Sequence, residues 1–376
     1  MENPVYMDHN ATTDIRPEAK DAIGRALELR GNASSVHRFG QDIRRLVEDS
    51  REAIAELAGA RPAGVVFTSG GTEANTLAIQ GAGRSRVLAS AIEHSSVLKA
   101  RPGIEEIPVD AEGLVDLRAL DRLLAEDGDK TLVSVMLANN ETGVIQPLAD
   151  VAAVARKHGA LVHSDAVQAA GKIDIGLDAL GADMVSLSAH KFGGPMGAGA
   201  LVIKGDLPLA PVLKGGGQER NRRAGTENVP GIAGFAAAAK AALAGLSGFA
   251  RLGDWRDRIE KRLGEAANTR VFGLGGPRLA NTSFVTMPGV KAETQVIRLD
   301  LAGVAVSAGS ACSSGKVEPS HVLAAMGVDP EEASQAIRFS LGWNTTEQDV
   351  QRFEDAWINV CTDASRGEQQ KNAAAA

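Results

Sequence analysis

The sequence predicts an α/β protein with one large domain and one smaller α+β domain, and three observations lead to this prediction. At 376 residues, the chain is too long for a single small core. Between residues 17 and 203, helical periods alternate with short runs rich in β-branched residues. After an alanine-rich stretch at residues 229–246, strands and amphipathic helices follow in a different order.

The large domain begins with helices and continues with alternating strands and helices. "PEAKDAIGRALEL" has proline at a first helical position, and "DIRRLVEDSREAIAEL" carries its apolar residues along one stripe. Seven later runs are typical of buried strands, and several are separated by helices: GVVFT, RVLAS, EEIPV, TLVSVMLA, ALVHSDA, DMVSLSA and GALVIK. This alternation predicts a mostly parallel seven-stranded sheet with helices on both faces.

The C-terminal part predicts a separate, smaller unit. The alanine-rich helix at residues 229–246 is followed by glycines, then by a polar helix at 251–267 and strands near "NTSFVTM" and "QAIRFSL". A closing helix carries Val350, Phe353, Trp357 and Val360 in helical step. Residues 365–376 are polar and alanine-rich, and we expect this tail to be disordered.

Charge and composition exclude several classes of function. Acidic residues outnumber basic ones by 47 to 40, so no strong positive field predicts binding to nucleic acid or to anionic lipid. The first residues lack a basic and apolar leader, so we expect a cytoplasmic location with no membrane association. The 2 cysteines predict thiols rather than a disulfide framework, and no cysteine–histidine spacing predicts a metal site.

Polar side chains stand at the predicted carboxyl ends of three strands, where ligands bind in open α/β sheets. "SGGTEAN" brings Gly71 and Thr72 to a helix start, which suits a phosphate, although a glycine pair alone is a weak signal. "SDAVQ" contributes Asp165 and Gln168. "SAHKFGG" contributes three more residues: Ser188, His190 and Lys191. Taken singly, Asp165 could be a helix N-cap and each histidine could bond only to neighbouring backbone.

Lys191 is the most informative of these residues, because it follows an apolar strand and precedes a glycine-rich loop. Burial at such a position lowers the pKa of an amine and makes its neutral form available to condense with a carbonyl. An aldehyde cofactor with a phosphate and a basic ring nitrogen also needs an anion site and a carboxylate. The sequence offers both, in "SGGTEAN" and in Asp165.

Cys312 lies in "SAGSACSSG", where no apolar neighbour is larger than alanine. Core packing explains this cysteine poorly, and its small neighbours predict an open, mobile loop that could carry a nucleophilic sulfur. Exposure alone does not establish reactivity, so a catalytic and a redox use both stay open at this point. Cys361, on the closing amphipathic helix, is predicted to be a small buried hydrophobic residue.

Nine stretches together resemble one family. The stretches are YMDHNATT, GNASSVHRFG, FTSGGTEANTLAI, EHSSVL, NNETGVIQP, HSDAVQAAGK, SLSAHKFGGPMGAG, GGGQERNRRAGTEN and SAGSACSSGKVEPSHVLAAMG. In this order they resemble the NifS/IscS-type cysteine desulfurases, which are pyridoxal-phosphate enzymes of fold type I in the class-V aminotransferase-like superfamily. The resemblance implies a large domain at residues 14–247 and a small domain made of 1–13 and 248–364, with a cysteine loop at 307–318.

The resemblance implies a role for each residue that holds the cofactor. Lys191 would hold pyridoxal phosphate through its amine, and Asp165 would pair with the ring nitrogen. Gln168 would hydrogen-bond the phenolic oxygen, with Asn140 nearby, and His94 would stack on the ring and act as acid and base. The phosphate would be bound by a further set of residues: Gly71, Thr72, Ser188, His190 and, from the neighbouring subunit of a homodimer, Thr226.

The resemblance also implies the reaction. Arg338 and Asn140 would bind the carboxylate of L-cysteine, a role suited to a planar bidentate donor. The Cys312 thiolate would attack the substrate sulfur, leaving L-alanine and an enzyme persulfide. "SACSSGKVEPSHVL" is similar to the group with the longer cysteine loop, which passes sulfur to iron–sulfur scaffold proteins or other acceptors.

Two other classes of function remain open from the residues. Another reaction on the same cofactor, such as that of a selenocysteine lyase or an aminotransferase, would use Lys191 in the same way. A cofactor-free sulfur carrier would use Cys312 alone and would be indifferent to Lys191.

Overall fold

The structure, a computed structural model, describes residues 4–309 and 319–375. Cys312 and the greater part of the predicted cysteine loop therefore lie outside the described residues. The helices are α1 Pro17–Leu27, α2 Arg38–Leu57, α3 Gly71–Gly81, α4 Ser95–Leu98, α5 Leu117–Leu124, α6 Leu148–Lys157, α7 Leu177–Leu180, α8 Val229–Ala244, α9 Leu246–Ala250, α10 Leu252–Ala266, α11 Ala292–Leu301, α12 His321–Ala325, α13 Pro330–Ala333 and α14 Glu347–Ala375. The strands are β1 Val5–Tyr6, β2 Val65–Thr68, β3 Arg86–Ser90, β4 Ile104–Ile107, β5 Thr131–Ser134, β6 Leu161–Asp165, β7 Met184–Ser188, β8 Gly199–Ile203, β9 Thr282–Thr286, β10 Val304–Ala305 and β11 Ala336–Ser340.

Strands β2 to β8 form a seven-stranded sheet in the order β2-β8-β7-β6-β5-β3-β4. The strands from β3 to β7 pair in parallel, whereas β8 runs antiparallel to both β2 and β7. This topology confirms the predicted mostly parallel seven-stranded sheet. Because parallel strands align their carboxyl ends, the polar residues after β3, β6 and β7 meet at one edge.

Six strands of the large sheet are buried almost throughout, which explains why most of them are rich in apolar residues, whereas β4 at the edge exposes Glu105 and Glu106. Successive residues of one strand point to opposite faces. Val87 of β3, for example, packs in a cluster with residues of α3, whereas Leu88 packs in the cluster that holds residues of α2, α6 and α8. Packing on both faces therefore fixes the strand ends from which the loops at this edge begin.

The second hydrophobic core belongs to the C-terminal unit. Strands β9 and β11 pair antiparallel, and β1 pairs in parallel with β10. Phe353 and Trp357 of α14 are fully buried in this core, together with Val5 and Met7 from the N-terminal segment. The N-terminal segment thus runs from the small core towards the edge of the large sheet, and it contributes residues to the cavity described below.

Two helical segments differ in extent from the predictions. Helix α8 ends at Ala244, since Gly245 interrupts it before α9 begins at Leu246. The backbone of α14 is helical as far as Ala375, whereas the sequence predicted a disordered tail over residues 365–376. Alanine, glutamate, glutamine and lysine all favour helix, and a prediction from low hydrophobicity ignored this preference.

Across residues 4–309 and 319–375, no one helix is both long enough and apolar enough to cross a bilayer. The helical stretches Val229–Ala244 and Leu246–Ala266, with a bend of 65° between them, meet that criterion only when they are taken together.

Candidate active site

A cavity of about 210 Å³ lies at the carboxyl edge of the large sheet, where β6 and β7 end and α3 begins. Its lining includes ten of the residues that the sequence singled out: Gly71, Thr72, His94, Asn140, Asp165, Gln168, Ser188, His190, Lys191 and Arg338. It also includes residues that sequence reasoning did not select: Ala11, Asn75, Ser96, Met136, Ala138 and Val167. Ligand sites of α/β proteins are expected at this position in the fold.

One end of the cavity, which we call the anion end, is made by Gly71, Thr72, Ser188 and His190. The first backbone N–H groups of α3 have no intrahelical acceptor, so a helix start of this kind favours an anion. Gly71 permits close packing there, because a Cβ at this position would lie 2.8 Å from Cγ2 of Val167. Burial, and then the charge of Lys191, lower the pKa of His190 to about 4, so its imidazole is neutral at pH 7.

Asp165 ends strand β6, and its side chain is almost fully buried. One carboxylate oxygen accepts a hydrogen bond of 2.7 Å from Nδ2 of Asn75, and the other accepts one of 2.9 Å from the backbone N–H of Val167. Asn75 also donates to Oγ of Ser96, at 2.9 Å. The sequence held a signal for Asn75, because it lies one helical turn after Thr72 and so faces the same side of α3.

A second part of the cavity, which we call the amine end, is made by Lys191 and Gln168 with Asn10, Lys172 and Arg338 around them. Lys191 lies on a single 3₁₀ turn after β7. Its Nζ donates to the backbone carbonyl oxygens of Asn10, at 2.6 Å, and of Ala11, at 2.9 Å.

The Lys191 amine has the electrostatic environment that the sequence led us to expect. Burial and, to a smaller extent, the positive charge of Arg338 lower its pKa to about 8, although Asp165 and Asp8 act in the opposite direction. A substantial fraction of the amine is therefore neutral near physiological pH. Only the neutral form is a nucleophile towards a carbonyl.

Arg338 lies on β11, is only 2% exposed and reaches the cavity from there. Its Nη2 donates to Oδ1 of Asp8 at 2.6 Å, and its Nη1 donates to the backbone oxygen of Asn140 at 2.8 Å. Its Nε is buried and has no hydrogen-bond partner within the part of the chain that the structure describes. Arg338 therefore brings a buried positive charge to the wall of the cavity, which favours an anionic ligand there.

His94 caps the start of α4, and its ring opens onto the cavity. Its Nδ1 accepts from the backbone N–H of Ser96 at 3.1 Å and lies 2.7 Å from Oγ of the same residue. Burial by the surrounding walls lowers the pKa of His94; the charge of Asp165 opposes this, and those of Lys191 and His321 add to it. Because Nδ1 accepts a backbone hydrogen bond, the neutral ring carries its proton on Nε2.

These groups fit pyridoxal phosphate, the cofactor that the sequence resemblance implies. The anion end offers backbone and side-chain donors for a phosphate, Asp165 offers a carboxylate for a ring nitrogen, and Lys191 offers an amine for an aldehyde. Thr226 is exposed and does not line this cavity. Its role, and that of Cys312, stay predictions.

Comparison with known proteins finds related sequences and structures along most of the chain. The model of the family described as Aminotransferase class-V matches residues 5–353. A cysteine desulfurase of Cereibacter sphaeroides is 45% identical over 365 residues, which cover 93% of each chain. The cysteine desulfurase IscS of Dictyoglomus turgidum is 41% identical over 372 residues, covering 93% of this chain and 92% of that protein. The X-ray structure of a NifS-like protein from Rickettsia africae has a TM-score of 0.89 and 37% identity, and it covers 95% of this chain and 99% of that one.

Proposed function

The chain belongs to the aminotransferase class-V family, and from this premise we propose that it is a pyridoxal-phosphate-dependent cysteine desulfurase, which removes sulfur from L-cysteine. One observation carries the proposal. Lys191, Asp165 and the anion end line the same cavity, and the amine has a pKa of about 8. The names of the relatives support sulfur removal, rather than amino transfer, as the reaction.

Bound in this cavity, pyridoxal phosphate would supply an electron sink for the charge that develops at the substrate carbon. Lys191 would hold the cofactor through its Nζ, and Asp165 would keep the ring nitrogen protonated. The bond from Asn75 and the bond from the backbone of Val167 fix the carboxylate of Asp165 for this role. Asp165 is thereby oriented before the ligand binds.

The substrate carboxylate would bind to Arg338. This side chain lines the cavity, and its guanidinium is held in place by Asp8 and the Asn140 backbone. His94 would move the proton between the substrate atoms, because its ring opens onto the cavity and its depressed pKa keeps it neutral at rest. The amine of Lys191, which lines the same cavity, would be a second base.

The sulfur step would use Cys312, which lies outside the described residues. Its thiolate would attack the sulfur of the substrate, so that an S–S bond forms as the substrate C–S bond breaks. The electron pair of the broken bond stays with the carbon, which is reprotonated to give L-alanine, and Cys312 is left as a persulfide. A thiol or an acceptor protein would then take the outer sulfur.

We further propose a homodimer in which Thr226 of each chain completes the phosphate site of the other. Two observations support it: Thr226 is exposed, and it does not line the cavity of its own chain. The acceptor of the persulfide would be an iron–sulfur scaffold protein or another sulfur-accepting protein.

Measurement of both products tests the function. Wild type, Lys191→Ala and Cys312→Ala are each given L-cysteine and a thiol reductant, and alanine and sulfide are quantified together. We expect equal amounts of the two products from wild type and a loss of more than about 10²-fold in each variant. Undiminished release of both products by Cys312→Ala would exclude the persulfide route.

The same proteins distinguish the competing functions. A visible absorption band that borohydride removes, present in wild type and absent in Lys191→Ala, is expected for the bound aldehyde. A colourless wild type that cannot take up pyridoxal phosphate would support a cofactor-free sulfur carrier. Amino transfer to a 2-oxo acid that survives in Cys312→Ala would support an aminotransferase.

A further inference from the structure

A second lysine is buried beside the amine end and has no part in the chemistry proposed above. Lys172 follows α6 and β6 in the stretch "AAGK", and it is only 5% exposed. Lysine is almost never fully buried unless it is paired, so the position needs an explanation. Its partners here are two amide oxygens rather than a carboxylate.

The two contacts of Lys172 define the direction of its hydrogen bonds. Its Nζ lies 2.9 Å from Oδ1 of Asn10 and 3.0 Å from Oε1 of Gln168. An amide oxygen can only accept, so Lys172 donates in both bonds. Burial lowers the pKa of Lys172 well below its usual range, and the charges of Lys191 and Arg338 add to this. A neutral amine still carries the two N–H groups that the two bonds require.

These bonds fix the orientation of the Gln168 amide. If the amide turned over, its NH₂ group would face the Lys172 amine and its oxygen would face the carbonyl of Asn10. In the observed orientation, Nε2 of Gln168 donates to that carbonyl at 2.9 Å. The second N–H of Nε2 remains for a ligand in the cavity that Gln168 lines.

Asn10 makes further hydrogen bonds of its own, and these fix the position of its side chain and of its backbone oxygen. Its Oδ1 accepts from Nδ2 of Asn281 at 3.1 Å, and its Nδ2 donates to Oγ1 of Thr282 at 2.9 Å. Its backbone oxygen accepts from both Gln168 and Lys191. The buried network thus joins the cofactor-binding amine of Lys191 to the amide of Gln168.

We propose that Lys172 is a positioning residue that holds Gln168 as a hydrogen-bond donor towards the ring oxygen of the bound cofactor. This inference rests on the proposed function, since it presumes pyridoxal phosphate in the cavity. The hydrogen bond stabilises the negative charge on the ring oxygen. This stabilisation is larger in the ground state than in the excited state, because excitation moves that charge into the ring. Loss of the donor therefore shifts the visible band to longer wavelength.

The test compares Lys172→Met with wild type in the Gln168 background and in a Gln168→Met background. In the presence of Gln168, we expect Lys172→Met to shift the visible maximum to longer wavelength and to weaken pyridoxal phosphate binding by about three- to tenfold. In the Gln168→Met background, the same substitution is expected to change neither quantity. Such a double-mutant cycle isolates the coupling between the two side chains.

An equal spectral shift in both backgrounds, or none in either, would overturn the proposal, because a merely structural lysine affects both alike. Lys172→Gln covers the case in which the methionine variant does not fold. This variant keeps a polar group that stops one methylene short of the two oxygens. We expect it to give a smaller shift of the visible maximum, which again requires Gln168. Failure of the proposed function is distinguishable, because wild type would then lack the band altogether.

Discussion

The two ends of the cavity are built in different ways. The anion end takes its donors from two short stretches, since Gly71 and Thr72 are adjacent and Ser188 and His190 are two positions apart. The amine end joins side chains that are far apart in the sequence, such as Lys172 and Asn10, which are separated by 162 positions. Backbone donors of a helix start survive side-chain substitution, whereas a side-chain network does not. Substitutions at the amine end should therefore reduce activity more than substitutions at the anion end.

Among substitutions that leave Lys191 and Cys312 in place, Arg338→Lys should give the largest effect, because it removes the planar fork from the amine end. A lysine cannot keep the bonds to Asp8 and to the Asn140 backbone while it also binds a substrate carboxylate. We expect kcat/KM for L-cysteine to fall by about 10²-fold, mostly through KM. Steady-state kinetics with a matched Arg298→Lys control, on the exposed part of α11, checks this. An unchanged KM would place the carboxylate elsewhere.

Thr72→Val should have a smaller effect, because it removes one hydroxyl from the anion end and leaves the backbone N–H groups of α3 in place. We expect the dissociation constant of pyridoxal phosphate to rise by about 20-fold, with kcat nearly unchanged at saturating cofactor. Equilibrium titration of the apoenzyme measures it, and Thr76→Val on the same helix is the control. A collapse of kcat at saturating cofactor would contradict the contrast between the two ends.

The pH dependence of cofactor uptake tests whether the amine end lowers the pKa of Lys191. Because the pKa of Lys191 is lowered to about 8, the reactive neutral amine is the minor form at pH 7 and the major form at pH 9. The initial rate of pyridoxal phosphate uptake by the apoenzyme should rise by about tenfold over this interval and then level off. A stopped-flow absorbance series gives the midpoint. A midpoint near that of an ordinary lysine would show that the amine end does not perturb Lys191.

The same shift has a consequence for the stability of the apoenzyme. The folded state releases its Lys191 proton at about pH 8, whereas the unfolded chain keeps that proton up to the ordinary lysine pKa of 10.5. Between these values the unfolded state binds more protons, so this group makes the free energy of unfolding rise with pH. Binding of the cofactor to Nζ should remove this dependence, which urea unfolding of the apo and holo forms can show.

Asp8→Asn should give the smallest change in activity, since it alters only the support of the amine end. The substitution removes the negative charge beside the buried guanidinium of Arg338, which can then attract a substrate carboxylate more strongly. We expect KM for L-cysteine to fall by about threefold and the free energy of unfolding to fall by about 1–3 kcal/mol. A higher KM with unchanged stability would mean that Asp8 aligns Arg338 rather than neutralising it.

Much of the fold and most of the cavity lining follow from sequence patterns. The strand runs and the glycine pair before Thr72 act over a few residues, so they can be recognised locally, and the structure places Asp165, Lys191 and the other strand-end residues together. Asn10, Lys172 and Asp8 lie in two of the nine stretches that carry the family resemblance, but no local pattern assigned a role to any of them. Each is important through a partner more than a hundred positions away, except for the Lys172–Gln168 pair, and no local pattern encodes such a distance.

The alternation of strands and helices, and hence the edge of the sheet at which ligands collect, follows from local patterns in the chain, because secondary-structure periodicity and turn chemistry are local properties. The path of the N-terminal segment from the second hydrophobic core to that edge depends instead on the packing of the whole chain. There Asn10 accepts from Lys191, Gln168 and Lys172. The physical reason is that a buried amine or amide is satisfied only by groups that the packing of the whole chain brings within hydrogen-bonding distance.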